Sequence, residues 1–119
     1  MTTTWTAGHL PGLAPSEHGW QELDFGELTV RVPVLQPAQA RLVAQHVRET
    51  AERVLRPMPV SQIVGTIGSA ITRLLDRNDP FRQDAERLLP VVSGFDAEMV
   101  RLGLDGFLQR FRRPQLHRF

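Results

Sequence analysis

Hydrophobic residues recur at every third or fourth position over most of residues 37–119, and this spacing predicts a series of helices. Pro37 suits the first position of a helix, and Asp79 and Asp96 are of the type that caps helix starts. Prolines mark the expected ends, because proline cannot continue a helix. The four predicted helices span about 37–56, 60–77, 80–90 and 97–113, and a short helical turn is expected at 115–119.

The second and fourth predicted helices carry glycines within their apolar stripes. Ser61 is the expected cap of the second helix, and Gly65 and Gly68 lie inside it. Each interior glycine weakens a helix by about 1 kcal/mol relative to alanine. These two glycines, and Gly103 and Gly106 in the fourth helix, therefore predict close approach by another helix. The spacing also predicts that the large residues of the fourth helix face inward: Met99, Val100, Leu104, Phe107, Leu108 and Phe111.

Residues 25–35 alternate between apolar and polar side chains, which predicts a strand. Pro33 cannot donate to a neighbouring strand, so this strand is expected to be short or to lie at a sheet edge. No second strand is evident, so its partner is expected to be missing from the chain. Residues 1–24 are interrupted by glycine and proline, which predicts a loosely ordered segment whose Trp5 and Trp20 either dock on the body or stay free.

Together these elements predict a mostly α fold, a small bundle of about four helices with one short N-terminal strand or hairpin. A length of 119 residues favours a single domain, placed at 25–119. The hydrophobic fraction of 41% and the charged fraction of 23% are ordinary for a globular protein. No apolar run approaches the roughly 20 residues of a membrane helix, and residues 1–5 lack the features of a secretory signal. A cytoplasmic protein with no membrane partner is therefore expected.

The basic residues are all arginine, 14 in number, and the formal net charge is only +1. Because 13 acidic residues are interspersed with them, we interpret the arginines as a compositional bias rather than a phosphate-binding surface. The densest basic cluster suits either a phosphate or nucleic-acid contact or a charged helix end. The low net charge favours the helix end, so no nucleic-acid partner is expected. This cluster consists of Arg110, Arg112, Arg113 and Arg118.

Histidine and cysteine offer little for a catalytic or metal site. The four histidines are His9, His18, His46 and His117, and none stands with a second ligand at metal-binding spacing. The sequence contains no cysteine, which excludes disulfides, thiolate metal sites and cysteine nucleophiles within it.

Two pairs of carboxylates also have ordinary explanations. Glu49 and Glu52 each precede an arginine by four residues, which is the spacing of surface ion pairs on a helix. Asp96 and Glu98 lie in a first helical turn, where the helix dipole favours acids. The glycine-containing stretch 65–69 matches neither of the common phosphate-binding patterns and falls within a predicted helix. We therefore assign no catalytic or metal-binding residue, and the cofactor-binding residues stay unassigned.

The block from Leu89 to Leu108, with its continuation to Phe119, resembles a block of the Lux-type acyl-CoA reductases. That family has a small residue–Gly–aromatic turn, an acidic helix start, a Met-Val pair and a Gly-Leu pair. The residues that carry this resemblance are Ser93-Gly94-Phe95, Met99-Val100 and Gly103-Leu104. The stretches at 59–64, 74–76 and 79–80 are also similar to the region upstream in the family. The resemblance covers residues 57–119 well, residues 25–56 loosely and residues 1–24 not at all.

The resemblance implies the N-terminal part of a larger α/β enzyme of the aldehyde dehydrogenase superfamily. Such enzymes reduce a fatty acyl-CoA to an aldehyde with NADPH, through an acyl-thioester on a cysteine that lies downstream of this block. No catalytic residue can be carried over, and NADPH is not expected to bind this chain alone. The expected partner is the remaining catalytic part of the reductase or a partner subunit. Three origins stay open: a fragment, a complementing subunit, and a stand-alone helical interaction module.

Overall fold

The computed structural model describes residues 2–118, without the side chain of Arg113. These residues form two compact units, Met1–Pro57 and Met58–Phe119. The chain thus divides after Pro57, whereas the sequence predicts one domain that begins at residue 25. The difference arises because the segment before residue 25 is structured and forms a sheet with the predicted strand.

Unit 1 contains a three-stranded sheet with the order β1-β3-β2. Its strands are β1 (Thr3–Thr6), β2 (Gly19–Asp24) and β3 (Leu28–Val34), and a short 3-10 turn lies at Pro15–Glu17. Strand β1 runs parallel to β3, and β2 runs antiparallel to it. The strand predicted over 25–35 is confirmed. The expectations that it lacks a partner in this chain and that residues 1–24 are loosely ordered are wrong, since both neighbours come from that segment.

Pro33 lies in the central strand, which has seven residues, whereas the sequence predicts a short strand or one at a sheet edge. The backbone amide of Ala7 donates to the Arg31 carbonyl at 2.9 Å, so the backbone of Arg31 faces β1. The backbone groups of alternate residues face the same neighbouring strand, so the nitrogen of Pro33 also faces β1. Pairing between β1 and β3 ends at Thr6 and Arg31. The Pro33 nitrogen, which cannot donate, therefore faces β1 just past the last paired residues, where pairing between β1 and β3 stops. Both tryptophans, Trp5 and Trp20, are half-buried within the sheet.

The helix α1 (Pro37–Thr50) completes unit 1 and continues as a π-helical turn, Ala51–Leu55. This extent agrees with the predicted helix over 37–56. The Gln39 side chain fixes the helix start, because its Oε1 accepts from the Gln36 amide at 2.9 Å. Its Nε2 donates to the Glu17 carbonyl at 2.6 Å, which ties the helix to the loop before β2.

Unit 2 is helical, with α2 (Val60–Leu75), α3 (Pro80–Ser93), α4 (Ala97–Leu108), a 3-10 turn (Gln109–Phe111) and α5 (Arg113–Leu116). The mostly α prediction is confirmed, and α5 brings the helices of the described residues to five where about four were expected. Asp79 and Asp96 cap α3 and α4 as predicted, accepting from the amides of Phe81 at 2.9 Å and Met99 at 2.8 Å. Ser61 does not cap α2, which begins one residue earlier.

The end of α3 differs from the prediction. Pro90 was expected to close the helix but lies within it, and the helix continues to Ser93. It ends at Gly94, whose φ of 77° is left-handed, and the Gly94 amide donates to the Pro90 carbonyl at 3.0 Å. Glycine adopts this conformation without a steric penalty, so Gly94 sets the turn into α4.

Candidate protein-interaction surface

Helix α4 has an inner face that packs within unit 2. Val100 and Leu108 are buried, and Leu104 between them is half-buried. These residues are four positions apart and so form one stripe, which contacts α2 and α3. The inward orientation predicted for these three residues is confirmed.

Other apolar side chains of α4, outside this buried stripe, are exposed. Met99, Leu102 and Phe107 are 58%, 62% and 61% exposed. Phe107 stacks in a tilted geometry on Phe111, with 5.0 Å between the ring centroids, and Phe111 is itself exposed. The predicted inward orientation of Met99, Phe107 and Phe111 is therefore wrong. A helix whose apolar residues extend well beyond its packed stripe is typical of a position with protein on more than one side.

Three of the four helix glycines, Gly65, Gly103 and Gly106, do not have the close neighbours among the described residues that the sequence predicts. A Cβ added at Gly65, Gly103 or Gly106 would meet no described atom within 4 Å, apart from the local backbone and chain neighbours. Gly68 is buried. Gly103 and Gly106 thus form shallow notches on the exposed side of α4, where a neighbouring backbone or side chain could approach closely.

An apolar groove runs between α3 and α4 beside these notches. Its lining is almost entirely apolar and includes Phe95, Gly103 and Phe107. The turn at Gly94 positions Phe95, and the α4 cap positions the helix that forms one wall. The complete lining is Leu89, Ser93, Phe95, Met99, Val100, Gly103, Leu104 and Phe107.

A buried arginine holds the two walls of this groove together. Arg82 of α3 is 0% exposed, and its Nη2 lies 2.8 Å from Asp105 Oδ1 of α4 and 3.4 Å from Glu86 Oε1. Its Nη1 donates to the Leu74 carbonyl at the end of α2, at 2.9 Å. One guanidinium therefore links three helices. Arginine suits this position because its planar fork offers five donors in fixed directions.

Further arginines extend the pairing from this centre to the surface. Arg77 donates to Asp105 at 3.1 Å, and Arg101 donates to both Glu86 at 3.1 Å and Glu98 at 2.9 Å. Each carboxylate that faces Arg82 thus has a second cationic partner. This network could not be predicted from the sequence, because its longest link joins residues 28 apart.

The network changes the acid–base behaviour of two aspartates. Burial tends to raise the pKa of Asp105, but its hydrogen bonds with Arg77 and Arg82 and their charges outweigh burial and lower that pKa below its ordinary value. Burial opposes a lowered pKa at Asp79 as well. There the hydrogen bond and charge of Arg73, with the Phe81 amide, lower the pKa.

We expect the stability of unit 2 to fall in acid, with Asp105 contributing to the fall. A carboxyl whose pKa is lower in the folded state stabilises the fold above its unfolded pKa of about 3.9, and the contribution disappears as pH falls through the folded pKa. Urea denaturation followed by hydrogen exchange in α3 and α4, from about pH 6 to about pH 3, measures this loss. Asp105→Asn should lower stability at neutral pH and reduce the slope below about pH 4. An unchanged slope would contradict the assignment.

The other sequence-derived candidates do not form a site. His18 stacks on Trp20 with ring centroids 4.6 Å apart. His46 packs against Gly12, where an added Cβ would lie 2.8 Å from the imidazole Cγ. Among residues 2–118, no group of three or more histidine, aspartate and glutamate side chains could hold a metal ion. His9 and His117 are among these residues, and neither belongs to such a group.

The predicted surface pairs and basic cluster have local roles. Glu52 pairs with Arg56 at 2.7 Å as expected, whereas Glu49 accepts from Gln45 at 2.8 Å in place of the predicted arginine. Asp96 is the α4 cap and Glu98 pairs with Arg101. The stretch 65–69 lies inside α2. In the basic cluster, Arg110 and Arg112 are exposed near the end of α4, Arg118 is exposed beyond α5, and the Arg113 side chain lies outside the described residues.

Comparison with known proteins gives no match to a family model, a curated protein or a solved structure. Within the part of the chain that the structure describes, no helix is long and apolar enough to cross a membrane.

Proposed function

We propose that this chain is a non-catalytic helical segment that binds another polypeptide region through the α3–α4 groove, and that this region is the catalytic part of an acyl-CoA reductase. The observation that carries the binding role is the exposed apolar lining of the groove on α4, bearing Met99 and Phe107. Contiguous exposed apolar surface of this kind is typical of protein–protein contact sites. The proposal includes a cytoplasmic location, as the sequence predicts.

The reductase assignment draws its support from where the resembling residues lie. Ser93, Phe95, Met99 and Gly103 belong to the block that resembles the Lux-type family, and the same residues line the groove. If a partner binds this groove, the residue types that line it must fit that partner, and a partner of the same kind would select similar residues. Under this proposal the partner region supplies NADPH binding and the cysteine nucleophile. This chain supplies a shaped apolar surface.

Two phenylalanines allow a matched test of the groove. Phe107 and Phe81 are each 61% exposed, but only Phe107 lines the groove. We expect Phe107→Ser to weaken binding to a cysteine-bearing acyl-CoA reductase polypeptide by about tenfold or more, as truncation of an aromatic anchor does. Phe81→Ser should change it by less than about twofold. Isothermal titration calorimetry with the purified chains measures both.

The outcomes separate the competing functions. Equal effects of the two substitutions, or no complex with the reductase polypeptide, would contradict the proposal. Binding through Phe107 to a protein with no reductase activity would favour the stand-alone interaction module. We expect no acyl-CoA-dependent oxidation of NADPH by this chain alone, because no cysteine is present to carry the acyl group. Such activity would contradict the non-catalytic assignment.

A further inference from the structure

We infer that a second copy of this chain binds the outermost stripe of α4, with the two α4 helices antiparallel about a two-fold axis. This stripe, adjacent to the groove, consists of Glu98, Leu102 and Gly106 of α4 and is continued by Arg110 in the 3-10 turn that follows the helix. These residues are four positions apart in the sequence and all are exposed. The inference goes beyond the proposed function, because self-pairing needs no reductase partner.

The order of residues along the stripe is self-complementary. In an isologous pair, residue i of one copy meets residue j of the other, and j meets i. Centring the two-fold axis near position 104 places Leu102 of each copy over Gly106 of the other. Since an added Cβ at Gly106 would meet no described atom within 4 Å, the leucine has an open notch to enter. Rows of residues four apart also form the ridges that interlock in the commonest class of helix packing.

The charges at the two ends of the stripe fit the same register. Glu98 of one copy meets Arg110 of the other, twice per dimer. Glu98 already accepts from Arg101 at 2.9 Å, but its side chain is 64% exposed and a carboxylate can accept several hydrogen bonds. Within residues 2–118, no carboxylate forms a salt bridge with Arg110. A parallel pair would instead place like charges together at both ends and leave the Gly106 notches facing each other.

We expect a weak dimer, because one helix stripe per copy is a small interface. Sedimentation equilibrium should show the mass of two chains at about 100 μM and a shift toward one chain near about 1 μM. Gly106→Gln should abolish the dimer by filling the notch, and it should not impair folding because glutamine favours helices more than glycine does. Gly65→Gln, at an equally open glycine of α2, is the matched control and should leave the dimer unchanged.

Charge exchange tests the antiparallel register. Glu98→Arg alone and Arg110→Glu alone should each weaken self-association by about tenfold, since each creates two like-charge contacts. The double variant Glu98→Arg/Arg110→Glu should return it to within about threefold of the original. A chain that is monomeric at every concentration, equal effects of the two glycine substitutions, or no recovery in the double variant would overturn the inference. The proposed function would still stand if Phe107→Ser weakened reductase binding in that case.

Discussion

Replacing Arg82 by methionine is expected to lower the free energy of unfolding of unit 2 by about 3 kcal/mol. The side chain is 0% exposed and joins α3 to Asp105 of α4 and to the Leu74 carbonyl of α2. Removing one partner from a buried ion pair typically costs about 3–5 kcal/mol, because the remaining charge is left without compensation. The lower end applies here, since Asp105 keeps Arg77 at 3.1 Å and has partial access to water.

The measurement must report on unit 2. Trp5 and Trp20 both lie in unit 1, so tryptophan fluorescence does not serve. Hydrogen exchange of the α3 and α4 amides in increasing urea gives the free energy directly. Arg87→Met is the matched control, because Arg87 is 52% exposed and, among the described residues, forms a salt bridge with Asp84 alone. Its loss should therefore cost less than about 1 kcal/mol.

A double variant separates charge from packing at Arg82. If the loss comes from the uncompensated carboxylate, Arg82→Met/Asp105→Asn should recover part of the stability that Arg82→Met removes. No recovery would assign the loss to packing and to the Leu74 carbonyl. A cost for Arg82→Met no greater than that for Arg87→Met would contradict the role of Arg82 as the link between the helices.

The helices could be predicted from the sequence because the interactions that define them are local. Asp79 and Asp96 cap their helices through amides two and three residues ahead, so residue type and position are sufficient. The burial of Arg82 could not be predicted in this way. Its spacing to Glu86 is four residues, the same as that between Glu52 and Arg56, yet the second pair is exposed. The contacts with Asp105, 23 positions away, and with the Leu74 carbonyl distinguish Arg82 from Arg56.

The sheet and the outer face of α4 were missed for related physical reasons. Strand β1 has four residues, three of them threonine, and acquires strand structure only by pairing with β3, about 25 residues later. In α4, apolar residues cover most of the helix circumference, and periodicity does not say which of them this chain covers. The structure assigns Val100, Leu104 and Leu108 to the inner face. Phe95, Met99 and Gly103, which also carry the resemblance to the Lux-type reductases, are left exposed in the groove.

Replacing Leu28 by alanine is expected to destabilise unit 1 by about 2–5 kcal/mol. Leu28 is 2% exposed and begins the central strand, where it pairs with Thr3 of β1. Its carbonyl also accepts from the Phe25 amide at 2.8 Å, which closes the turn between β2 and β3. Truncation to alanine removes buried apolar contacts and leaves a cavity where the surrounding residues cannot collapse.

The other end of the same strand supplies the control. Val34 is 43% exposed, so Val34→Ala removes less buried surface and should cost less than about 1 kcal/mol. Both tryptophans lie on the strands that flank β3, so urea denaturation followed by tryptophan fluorescence reports on this unit. A large loss for Leu28→Ala with little loss for Val34→Ala would support Leu28 as the buried anchor of the sheet. Equal losses would contradict this role, because the two positions differ mainly in burial.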